Sequence, residues 1–551
     1  MKRKKSTTND RVEEVRRWFS RCVTYEGEAY VIDSEQAAAV IADDLNAIVV
    51  ARAGSGKTRT IVAKIVYLIA CKGVKPEEIM AFVFNANAAR EINERLSKMM
   101  VDGKPVVEKA KIASTFHAFS RKIVYEACGG RKKCGKILAG EKEEFMLAVV
   151  EKMMREPEWR DKVRLFIRGT VDDEDIEEAE LMRFAGMMTL FVNRAQQRYL
   201  GGEKTLAQSV EEYLAGNEVE DRERNFVELG VECYRRYHWY LLDAKRKLKG
   251  FEDYGTDFNL IVSWASKLIW AGRGKVPEIL RNKKYILIDE YQDFSQLFLA
   301  AVEAIRSVAR DSRLFVVGDD WQAINRFAGS DVEYFKNFEE YFTGARRYEI
   351  TTNYRCNYTI VDTARKFMKK AMKGKGGFRA FSKRAGRVVI VEVKRLKAEY
   401  LKYLVKILRE NRKANDILIL HRNNETNLKI SLEGLKEALK RETVKARVMT
   451  EEEFDAKVRV MTMHKSKGLE AEAVVILEAD AGVIPKTHPD TRLFTVFCET
   501  EKVTLDDQKR LFYVAMTRAK KRLYIMHEKV PKRKLNGFIP YLGWSVERWE
   551  E

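Results

Sequence analysis

The chain has 551 residues, of which 46% are hydrophobic and 33% are charged, and its formal net charge is +20. This length is too great for one hydrophobic core, so we expect about three or four packing units. The positive charge is unusual for an enzyme of small metabolites and common in proteins that contact phosphate backbones, although charge alone does not distinguish DNA, RNA and anionic lipid.

The sequence shows no pattern for export or for membrane insertion. Its first residues, MKRKK, are basic, but no apolar segment follows within about thirty positions, as a secretory signal would require. No uncharged stretch approaches the roughly 18 residues of a transmembrane helix. The seven cysteines include no CxxC pair, so we expect reduced structural thiols. These features predict a soluble cytoplasmic protein with no membrane partner.

The first chemically informative pattern follows a predicted buried strand. Residues 45–50 read LNAIVV, residues 51–58 read ARAGSGKT, and the helical pattern RTIVAKIVYLIA comes next. Glycines let backbone N–H groups face phosphates, and a helix N-terminus adds positive potential. Lys57 is expected to reach the β- and γ-phosphates, and the Thr58 hydroxyl to hold Mg²⁺. Ala51 stands where the strict pattern has glycine, and a flexible basic turn is the alternative interpretation.

A second buried strand ends in acidic residues, in YILIDEYQD at 285–293. A P-loop ATPase needs one carboxylate beside its Mg²⁺ and a second that orients or deprotonates the attacking water. Asp289 suits the first role and Glu290 the second. Acidic residues at strand ends are common, so this prediction depends on the phosphate loop that precedes it.

A third strand, in FVVGDDWQAINRFAGS at 315–330, also ends in polar and aromatic side chains. Ligand-binding residues collect at the carboxyl ends of the strands of a parallel sheet, so three such ends can meet at one nucleotide. Gln322 is a candidate to contact the γ-phosphate. Trp321 and Phe327 are candidates to face a base or a neighbouring loop, with burial in a core as an equally good interpretation.

Further motifs in a fixed order point to a family. They are VIDSEQAAAV (31–40), IMAFVFNANAAREINERL (79–96), ASTFHAF (113–119), TTNYRCNYTIV (351–361), VMTMHKSKGLEAEAVVI (460–476) and QKRLFYVAMTRAKKRL (508–523). In this order they resemble the motif series of superfamily 1 DNA helicases of the UvrD/Rep type. The likeness is greatest to the helicase IV branch, because of VGDDWQ, FAGSD and MTMHKSKG, and it extends from Val31 to about Leu523.

The resemblance implies an α/β fold with two RecA-like parallel-sheet motor lobes. It also implies a helical insertion in the first lobe and no large accessory subdomain in the second, because only about 105 positions separate Arg355 from Met461. The predicted domains are the first lobe at 1–118 and 257–335, a helical inserted subdomain at 119–256, and the second lobe at 336–551.

The resemblance assigns residues to ATP. Gln36 would read the adenine edge, and Tyr354 would stack on the adenine. Arg355 and Arg518 would reach the γ-phosphate from the second lobe, which makes the site complete only when the lobes close. The predicted catalytic residues are therefore Lys57, Glu290, Gln322, Arg355 and Arg518; the predicted nucleotide-binding residues are Gln36, Ala53, Gly54, Ser55, Gly56, Lys57, Thr58, Arg59, Tyr354, Gly468 and Glu470; and the predicted Mg²⁺ ligands are Thr58 and Asp289.

A DNA track across both lobes is implied in the same way. The residues that match it are Phe84, Asn85, Thr115, His117, Phe327 and His464. Aromatic stacking tolerates any sequence, which suits a motor that steps along a strand. Ala323, Asn325 and Ala328 replace the Ser, Tyr and Arg of related enzymes, so we expect a lighter grip on DNA there.

Two interpretations remain open for the insertion motif YRRYHWYLLDAKRKLKG at 234–250. Its interleaved aromatic and basic residues are compatible with a DNA-facing surface. An amphipathic helix with a solvated basic face is the favoured alternative.

The combined patterns predict an ATP-dependent DNA helicase or translocase that moves 3′ to 5′ on single-stranded DNA and unwinds duplex, in DNA repair or recombination at the nucleoid. Its expected partners are single-stranded and partly duplex DNA, and the polarity is implied by the family alone. The alternatives are a translocase that strips bound proteins without unwinding, a nucleotide-gated binding module without turnover, and a P-loop kinase. The kinase explains neither the second-lobe arginines nor the charge of +20.

Overall fold

The computed structural model describes residues 8–549 apart from 110, 131–133, 173–174, 201, 203, 273–277, 374–375, 395–396, 487–488, 530–536 and 543–546. Two six-stranded sheets form the framework of this described part. Strand pairing within both sheets is parallel, and the predicted α/β class is confirmed.

The N-terminal part of the first lobe alternates strands and helices up to residue 127. Its elements are α1 (Thr8–Cys22), β1 (Val23–Tyr25), β2 (Glu28–Ala29), α2 (Ser34–Ile41), β3 (Asn46–Ala51), α3 (Lys57–Ala70), β4 (Ile79–Val83), α4 (Ala86–Ser97), β5 (Met99–Val101), β6 (Lys104–Pro105), β7 (Ala113–Thr115) and α5 (Phe116–Ala127). Strands β1, β2, β5 and β6 form a small antiparallel sheet of their own.

A helical insertion follows, and it has its own hydrophobic core. Its elements are β8 (Lys136–Leu138), α6 (Lys142–Met153), α7 (Pro157–Arg168), α8 (Glu178–Tyr199), α9 (Leu206–Gly216), α10 (Asp221–Leu242) and β9 (Tyr254–Asp257). Strands β8 and β9 pair in parallel at the root of the insertion. Two glycines lie back to back there: a Cβ on Gly135 would come within 2.9 Å of the Gly255 nitrogen. Only glycine allows this close backbone approach.

The chain then returns to complete the first lobe. The remaining elements are α11 (Phe258–Trp270), β10 (Tyr285–Ile288), α12 (Gln296–Val308), β11 (Arg313–Gly318), α13 (Glu333–Lys336), α14 (Phe338–Tyr341) and β12 (Arg346–Ile350). The order of the strands in the sheet is β12-β3-β11-β10-β4-β7. Neighbouring residues of β3 belong to different cores, with Ile48 on one face of the sheet and Val49 on the other. Burial on both faces explains the continuous apolar sequence of this strand.

The second lobe repeats this architecture. Its elements are β13 (Thr352–Asn353), α15 (Tyr358–Met372), β14 (Arg379–Ala380), β15 (Arg387–Val393), α16 (Lys397–Glu410), β16 (Ile417–His421), α17 (Leu432–Lys445), α18 (Glu451–Lys457), β17 (Val458–Thr462), β18 (Ala471–Ile476), α19 (Glu501–Met516), β19 (Ala519–Glu528) and β20 (Glu547–Trp549). The strand order is β17-β16-β18-β19-β15-β20. The described residues between β16 and β17 form two helices, which agrees with the prediction of no large accessory subdomain.

A segment of the second lobe packs into the insertion. This arm is a 3₁₀ helix at Pro489–Phe497, and its Phe494 and Phe497 side chains belong to the core of the insertion. The guanidinium of Arg194 on α8 lies 4.1 Å from the Phe494 ring and donates to Glu499 at 2.5 Å. The insertion therefore contacts both lobes.

Two predicted boundaries need correction. The first lobe does not end at 335, because β12 pairs with β3 in the first sheet from Arg346 to Ile350. Its sequence, RRYEI, is charged and mostly exposed, as suits an edge strand, so it lacks the apolar run that would have signalled it. The insertion does not begin at 119, because Phe119 and Ile123 of α5 lie in the first-lobe core.

No helix in the described part of the chain combines the length and the apolar composition needed to cross a bilayer.

Substitution of Gly230 with alanine should destabilise the insertion. Its Cβ would come within 2.5 Å of the Phe191 ring, which is itself fully buried between helices α8 and α10. We expect the free energy of unfolding to fall by about 1–3 kcal/mol, as overpacking of a core usually causes. Urea denaturation measures this.

Gly186→Ala on α8 is the matched control, because a Cβ there meets open space. Alanine favours helix over glycine by up to about 1 kcal/mol, so this variant should be as stable as the wild type or more stable. Equal stability of the two variants would contradict the close packing of Gly230 against the Phe191 ring.

Candidate active site

The predicted phosphate loop connects β3 to α3. Gly54 and Gly56 have positive φ values of 67° and 83°, a conformation that favours glycine. Gly56 precedes the first residue of α3 and has no side chain that could cap the helix. The N–H groups of the first turn therefore lack a side-chain acceptor, which makes this helix end suitable for an anion.

The two predicted carboxylates lie opposite this loop. The Lys57 Nζ is 3.5 Å from Oε2 of Glu290, and the Thr58 hydroxyl donates to Oδ2 of Asp289 at 3.5 Å. Burial and the adjacent Glu290 raise the pKa of Asp289 to about 7. Burial opposes the ionisation of Glu290, but Lys57 and Lys467 outweigh it and lower the pKa to about 2. The charge of Lys57 favours the ionised forms of both carboxyl groups, and the Thr58 hydroxyl and the Asp289 carboxylate are oxygen donors of the kind that fit Mg²⁺.

A chain of polar side chains leads from Glu290 to the second lobe. The Gln292 amide donates to Glu290 and accepts from the Asp319 N–H at 2.8 Å. The Asp319 Oδ2 accepts from the Gln322 amide at 2.6 Å, and Oε1 of Gln322 accepts from Arg518 at 3.3 Å. The sequence did not single out Gln292, although it lies two residues after the acidic pair.

Arg518 is a buried cation without a carboxylate partner in the described residues. It is 1% exposed and donates to the carbonyls of Val514 and Leu469 at 2.9 and 3.1 Å. Burial and the nearby Arg355 lower its pKa to about 9. Arg355 itself pairs with Glu470 at 2.7 Å. A buried guanidinium of this kind is costly unless an anion binds beside it.

The two lobes meet directly over the phosphate loop. The Asn353 side chain of the second lobe donates to the Ala53 carbonyl at 2.6 Å and accepts from the N–H groups of Arg355 and Cys356. A Cβ on Gly54 would come within 2.6 Å of this amide and 2.8 Å of the Arg355 Cβ. Asn353 is a second residue that sequence reasoning missed, although it stands in the TTNYR motif.

An aromatic pair lies at the predicted adenine end. The Gln36 amide donates to the Ser55 carbonyl at 2.9 Å, which fixes it beside the phosphate loop. Tyr354 is 41% exposed and donates from its hydroxyl to Asp33. Its ring centroid is 4.9 Å from that of Phe381, which is 67% exposed and was not predicted. Two exposed rings of this kind offer a surface for a planar base.

The remaining predicted nucleotide residues have local roles in the structure. The Arg59 guanidinium lies 4.4 Å from the Tyr30 ring. Gly468 has a φ of 87° and follows the turn that holds His464. Glu470 bridges Arg355 and Lys520, the latter at 2.6 Å.

Trp321 is buried, which resolves one open interpretation. Its side chain is 3% exposed and lies in the core of the second lobe, with its ring 5.4 Å from that of Tyr513. The Arg52 guanidinium covers the ring at 4.0 Å and pairs with Asp319 and Asp320 at 2.8 and 2.6 Å. Trp321 therefore joins the lobes and does not face a base.

Four predicted DNA residues cluster where β4 and β7 end. Asn85 and Thr115 cap α4 and α5 by accepting from backbone N–H groups at 2.8 and 3.0 Å. The Phe84 ring packs edge-on against Phe298, and the His117 ring lies near the same phenylalanine. Burial lowers the pKa of His117 to about 4, so the imidazole is neutral at pH 7.

Phe327 and His464 form a separate pair at the boundary between the lobes. Their ring centroids are 5.4 Å apart, edge to face, and Phe327 is 49% exposed. Phe327 belongs to the first lobe and His464 to the second. The structure thus brings the nucleotide residues together and divides the DNA residues between two clusters.

These features define a two-lobed P-loop protein in which Arg355 of the second lobe lies beside Gly54 of the phosphate loop and Arg518 contacts Gln322 of the first lobe. Residues 32–343 match the model of the UvrD/REP helicase N-terminal domain, and residues 431–529 match that of the UvrD-like helicase C-terminal domain. The chain belongs to the UvrD/Rep helicase family, and the predicted family and ATP-dependent helicase class are confirmed.

Several relatives are similar over much of the chain. DNA helicase IV of Escherichia coli is 27% identical over 521 residues, which cover 91% of this chain and 69% of the relative. A probable DNA helicase of Mycoplasma pneumoniae is 24% identical over 513 residues, which cover 91% of this chain and 84% of the relative. The ATP-dependent DNA helicase PcrA of Staphylococcus aureus is 27% identical over 71% of this chain and 48% of its own length.

The two neighbouring carboxylates should affect stability in opposite directions. Asp289→Asn should stabilise the metal-free protein at pH 8 by on the order of 2 kcal/mol, because ionising a carboxyl group with a pKa of about 7 opposes folding. This gain should shrink as the pH falls toward the unfolded value of 3.8.

Glu290→Gln should instead destabilise the protein at pH 8, because the pKa of Glu290 is lowered to about 2. Its ionised form contributes fully to stability above the unfolded pKa of 4.5, and this contribution declines as the pH falls from 4.5 to about 2. Thermal unfolding in EDTA at pH 8 and pH 5 measures both effects. Destabilisation by both substitutions at pH 8 would contradict the raised pKa of Asp289.

Proposed function

We propose that the chain is an ATP-driven motor that moves 3′ to 5′ along single-stranded DNA and displaces the complementary strand. The observation that carries this proposal is that the proposed nucleotide site and the proposed DNA site both span the boundary between the lobes. Arg518 of the second lobe contacts Gln322 of the first, and His464 of the second lobe contacts Phe327 of the first. A change in lobe spacing at the nucleotide would therefore also change the spacing of the strand-binding rings.

The nucleotide site supports ATP hydrolysis in detail. Lys57 is the group that would bind the β- and γ-phosphates, and this would draw it away from Glu290. The Glu290 carboxylate, with its pKa of about 2, is ionised at pH 7 and can accept a proton from water. Arg355 and Arg518 would stabilise the charge of the transferred phosphoryl group. Tyr354 and Gln36 would hold the base.

Thr58 and Asp289 are the residues that would hold Mg²⁺. When bound, the ion would neutralise part of the phosphate charge. Their oxygens already lie 3.5 Å apart.

Coupling would run through the loop after β11. Gln322 lies in this loop and contacts both Asp319 and Arg518, and Phe327 follows five positions later. On the opposite lobe Lys467 pairs with Asp293 of the first lobe, three positions after His464. Both strand-binding rings are thus tied to side chains that cross between the lobes.

One observation favours a second candidate function. The described residues between β16 and β17 form only α17 and α18, so the accessory subdomain of larger relatives has no counterpart there. A translocase that clears bound proteins without processive unwinding fits this reduced second lobe. Tailed duplexes with and without a bound protein separate the two, because a protein-clearing translocase leaves the duplex intact.

Because the proposed substrate is DNA, we infer that the motor acts in DNA repair or recombination, at the nucleoid in the cytoplasm.

ATP hydrolysis should be strongly stimulated by single-stranded DNA, and both Lys57→Ala and Glu290→Gln should reduce it at least about 100-fold. Glu290→Gln should keep its affinity for ATP, because the carboxylate serves the water and not the phosphates. Steady-state hydrolysis and nucleotide binding measure these two quantities.

Lys152→Ala and Glu151→Gln are matched controls, because both residues are exposed on α6, and hydrolysis should be unchanged in them. Equal hydrolysis by the wild type with and without single-stranded DNA would overturn the motor proposal.

Phe381→Ala should raise the KM for ATP about tenfold with little change in kcat, because stacking on a base contributes about 1–3 kcal/mol. Phe381→Tyr should behave like the wild type, since it keeps the ring. Inhibition by inorganic tripolyphosphate, which has no base, should be the same in all three proteins. A KM for ATP that does not change in Phe381→Ala would exclude the aromatic pair from the base site.

A further inference from the structure

The chain passes from the first lobe to the second in a short crossing segment, residues 351–354. Before it, β12 pairs with β3 in the first sheet; within it, β13 pairs with β14 in a separate two-stranded sheet. Each strand of this small sheet leads directly into an aromatic residue of the proposed base site, because Tyr354 follows β13 and Phe381 follows β14. The positions of the two rings therefore depend on what holds the small sheet.

One side of the crossing segment lies along the phosphate loop. The Arg52 N–H donates to the Ile350 carbonyl at 3.0 Å, and the Tyr354 N–H donates to the Gly54 carbonyl at 2.9 Å. Backbone hydrogen bonds thus tie the chain to the loop immediately before the segment and at its last residue. The N–H groups of the two threonines between these points have a different acceptor.

Glu35 of α2 is that acceptor. Its Oε2 accepts from the N–H groups of Thr351 and Thr352 at 2.8 and 3.3 Å, and its Oε1 accepts from the Thr351 hydroxyl at 2.9 Å. Oε1 also accepts from the guanidinium of Arg379 on β14 at 3.0 Å, and Arg379 in turn donates to the Thr352 hydroxyl at 3.1 Å. One carboxylate of the first lobe therefore contacts both strands of the small sheet.

The hydrogen bonds to the backbone are the stronger part of this arrangement. The Glu35 side chain is 24% exposed and that of Arg379 is 67% exposed, so solvent weakens the ion pair between them. A carboxylate that accepts from two consecutive N–H groups fixes the backbone itself, and charge-assisted hydrogen bonds of this kind are about twice as strong as neutral ones. Glu35 is thus placed to hold the crossing segment from the side opposite the phosphate loop.

The residues beside Glu35 hold other parts of the same site. Asp33 accepts from the Tyr354 hydroxyl, and the Gln36 amide donates to the Ser55 carbonyl at 2.9 Å. One turn of the chain at the start of α2 therefore contacts an aromatic ring, the small sheet and the phosphate loop.

We propose that Glu35 is a positioning residue of the base site, because it holds the two strands that present Tyr354 and Phe381 to the base. The inference rests on the proposed function, since the ligand is taken to be an adenine nucleotide. Glu35 acts through the backbone of the crossing segment and not by contact with the nucleotide. Rings that are held in place before the base arrives lose less conformational entropy when it binds, which strengthens binding.

The test measures the Kd for ADP, which has the base, and for inorganic tripolyphosphate, which lacks it, by isothermal titration calorimetry with Mg²⁺ and without DNA. Glu35→Ala should bind ADP about tenfold more weakly than the wild type and tripolyphosphate with unchanged affinity. Unfolded protein would lower the stoichiometry for both ligands but not the affinity for one of them, so a purely structural role does not give this pattern. Equal losses of affinity for the two ligands would overturn the proposal.

Two conservative variants separate geometry from charge. Glu35→Gln keeps an oxygen within reach of the backbone N–H groups, so it should bind ADP within about threefold of the wild type. Glu35→Asp keeps the charge on a shorter side chain, so it should lose these hydrogen bonds and bind ADP nearly as weakly as Glu35→Ala. The reverse order would show that the charge opposite Arg379 is what matters, and the proposal would fail.

A protein without the two rings tests whether Glu35 acts through them. In the Tyr354→Ala/Phe381→Ala background, Glu35→Ala should cause no further loss of affinity for ADP, because residues that act as one unit are not additive. A further loss of about tenfold there would contradict the proposal. Glu28→Ala is the matched control: this first-lobe glutamate is exposed on β2, and the variant should bind both ligands like the wild type.

The outcomes for the two proposals are distinguishable, because ADP binding needs neither DNA nor hydrolysis. If the wild type and Glu35→Ala bind ADP equally well, the inference about Glu35 fails and the motor proposal stands. If single-stranded DNA does not stimulate ATP hydrolysis by the wild type, the motor proposal fails, and a loss of ADP affinity in Glu35→Ala still supports the positioning role. Failure of the wild type to bind ADP would exclude the nucleotide site on which both proposals depend.

Discussion

The contact between the Asn353 amide and the Ala53 carbonyl is the constraint on which the rest of the structure depends. It places the second lobe directly over the phosphate loop, with the Arg355 Cβ so close to Gly54 that a side chain there would collide with it. Because the lobes meet at this point, Arg518 can reach Gln322 and Trp321 can pack into the second-lobe core. The residues predicted to bind the nucleotide are thus brought together by the interface between the lobes and not by one lobe alone.

Buried arginines of this protein differ in whether they have a carboxylate partner. Arg194 on the insertion pairs with Glu499 of the second lobe and joins these two units, whereas Arg52 pairs with Asp319 within the first lobe. Arg518, which contacts Gln322 across the boundary between the lobes, has no such partner among the described residues. A buried guanidinium without a carboxylate partner is costly, and binding of an anion beside it would offset that cost.

The sequence could predict groups that directly follow an apolar strand, because the carboxyl ends of parallel strands meet at one edge. Lys57, Asp289 and Glu290 were predicted in this way, and the structure places them beside one another, whereas Arg355 and Arg518 were predicted from the motif series. Residues whose roles come from tertiary contacts could not be found: the importance of Gln292 depends on Asp319, and that of Phe381 depends on Tyr354. For the same reason the charged edge strand β12 and the arm at Pro489–Phe497 gave no usable signal, since their partners are distant in the chain.

The packing of the arm has a mechanical consequence for the insertion. Separating Phe494 and Phe497 from its core would return two large rings to water, at a cost of roughly 2–3 kcal/mol each. The paired strands β8 and β9 that join the insertion to the first lobe are short, and their backbones touch at Gly135 and Gly255. The insertion is also held to the first lobe, because Gln197 of α8 donates to Asn259 at 2.7 Å and accepts from Ser295 at 2.6 Å. Movement of the lobes away from each other would therefore have to break one of these two attachments of the insertion.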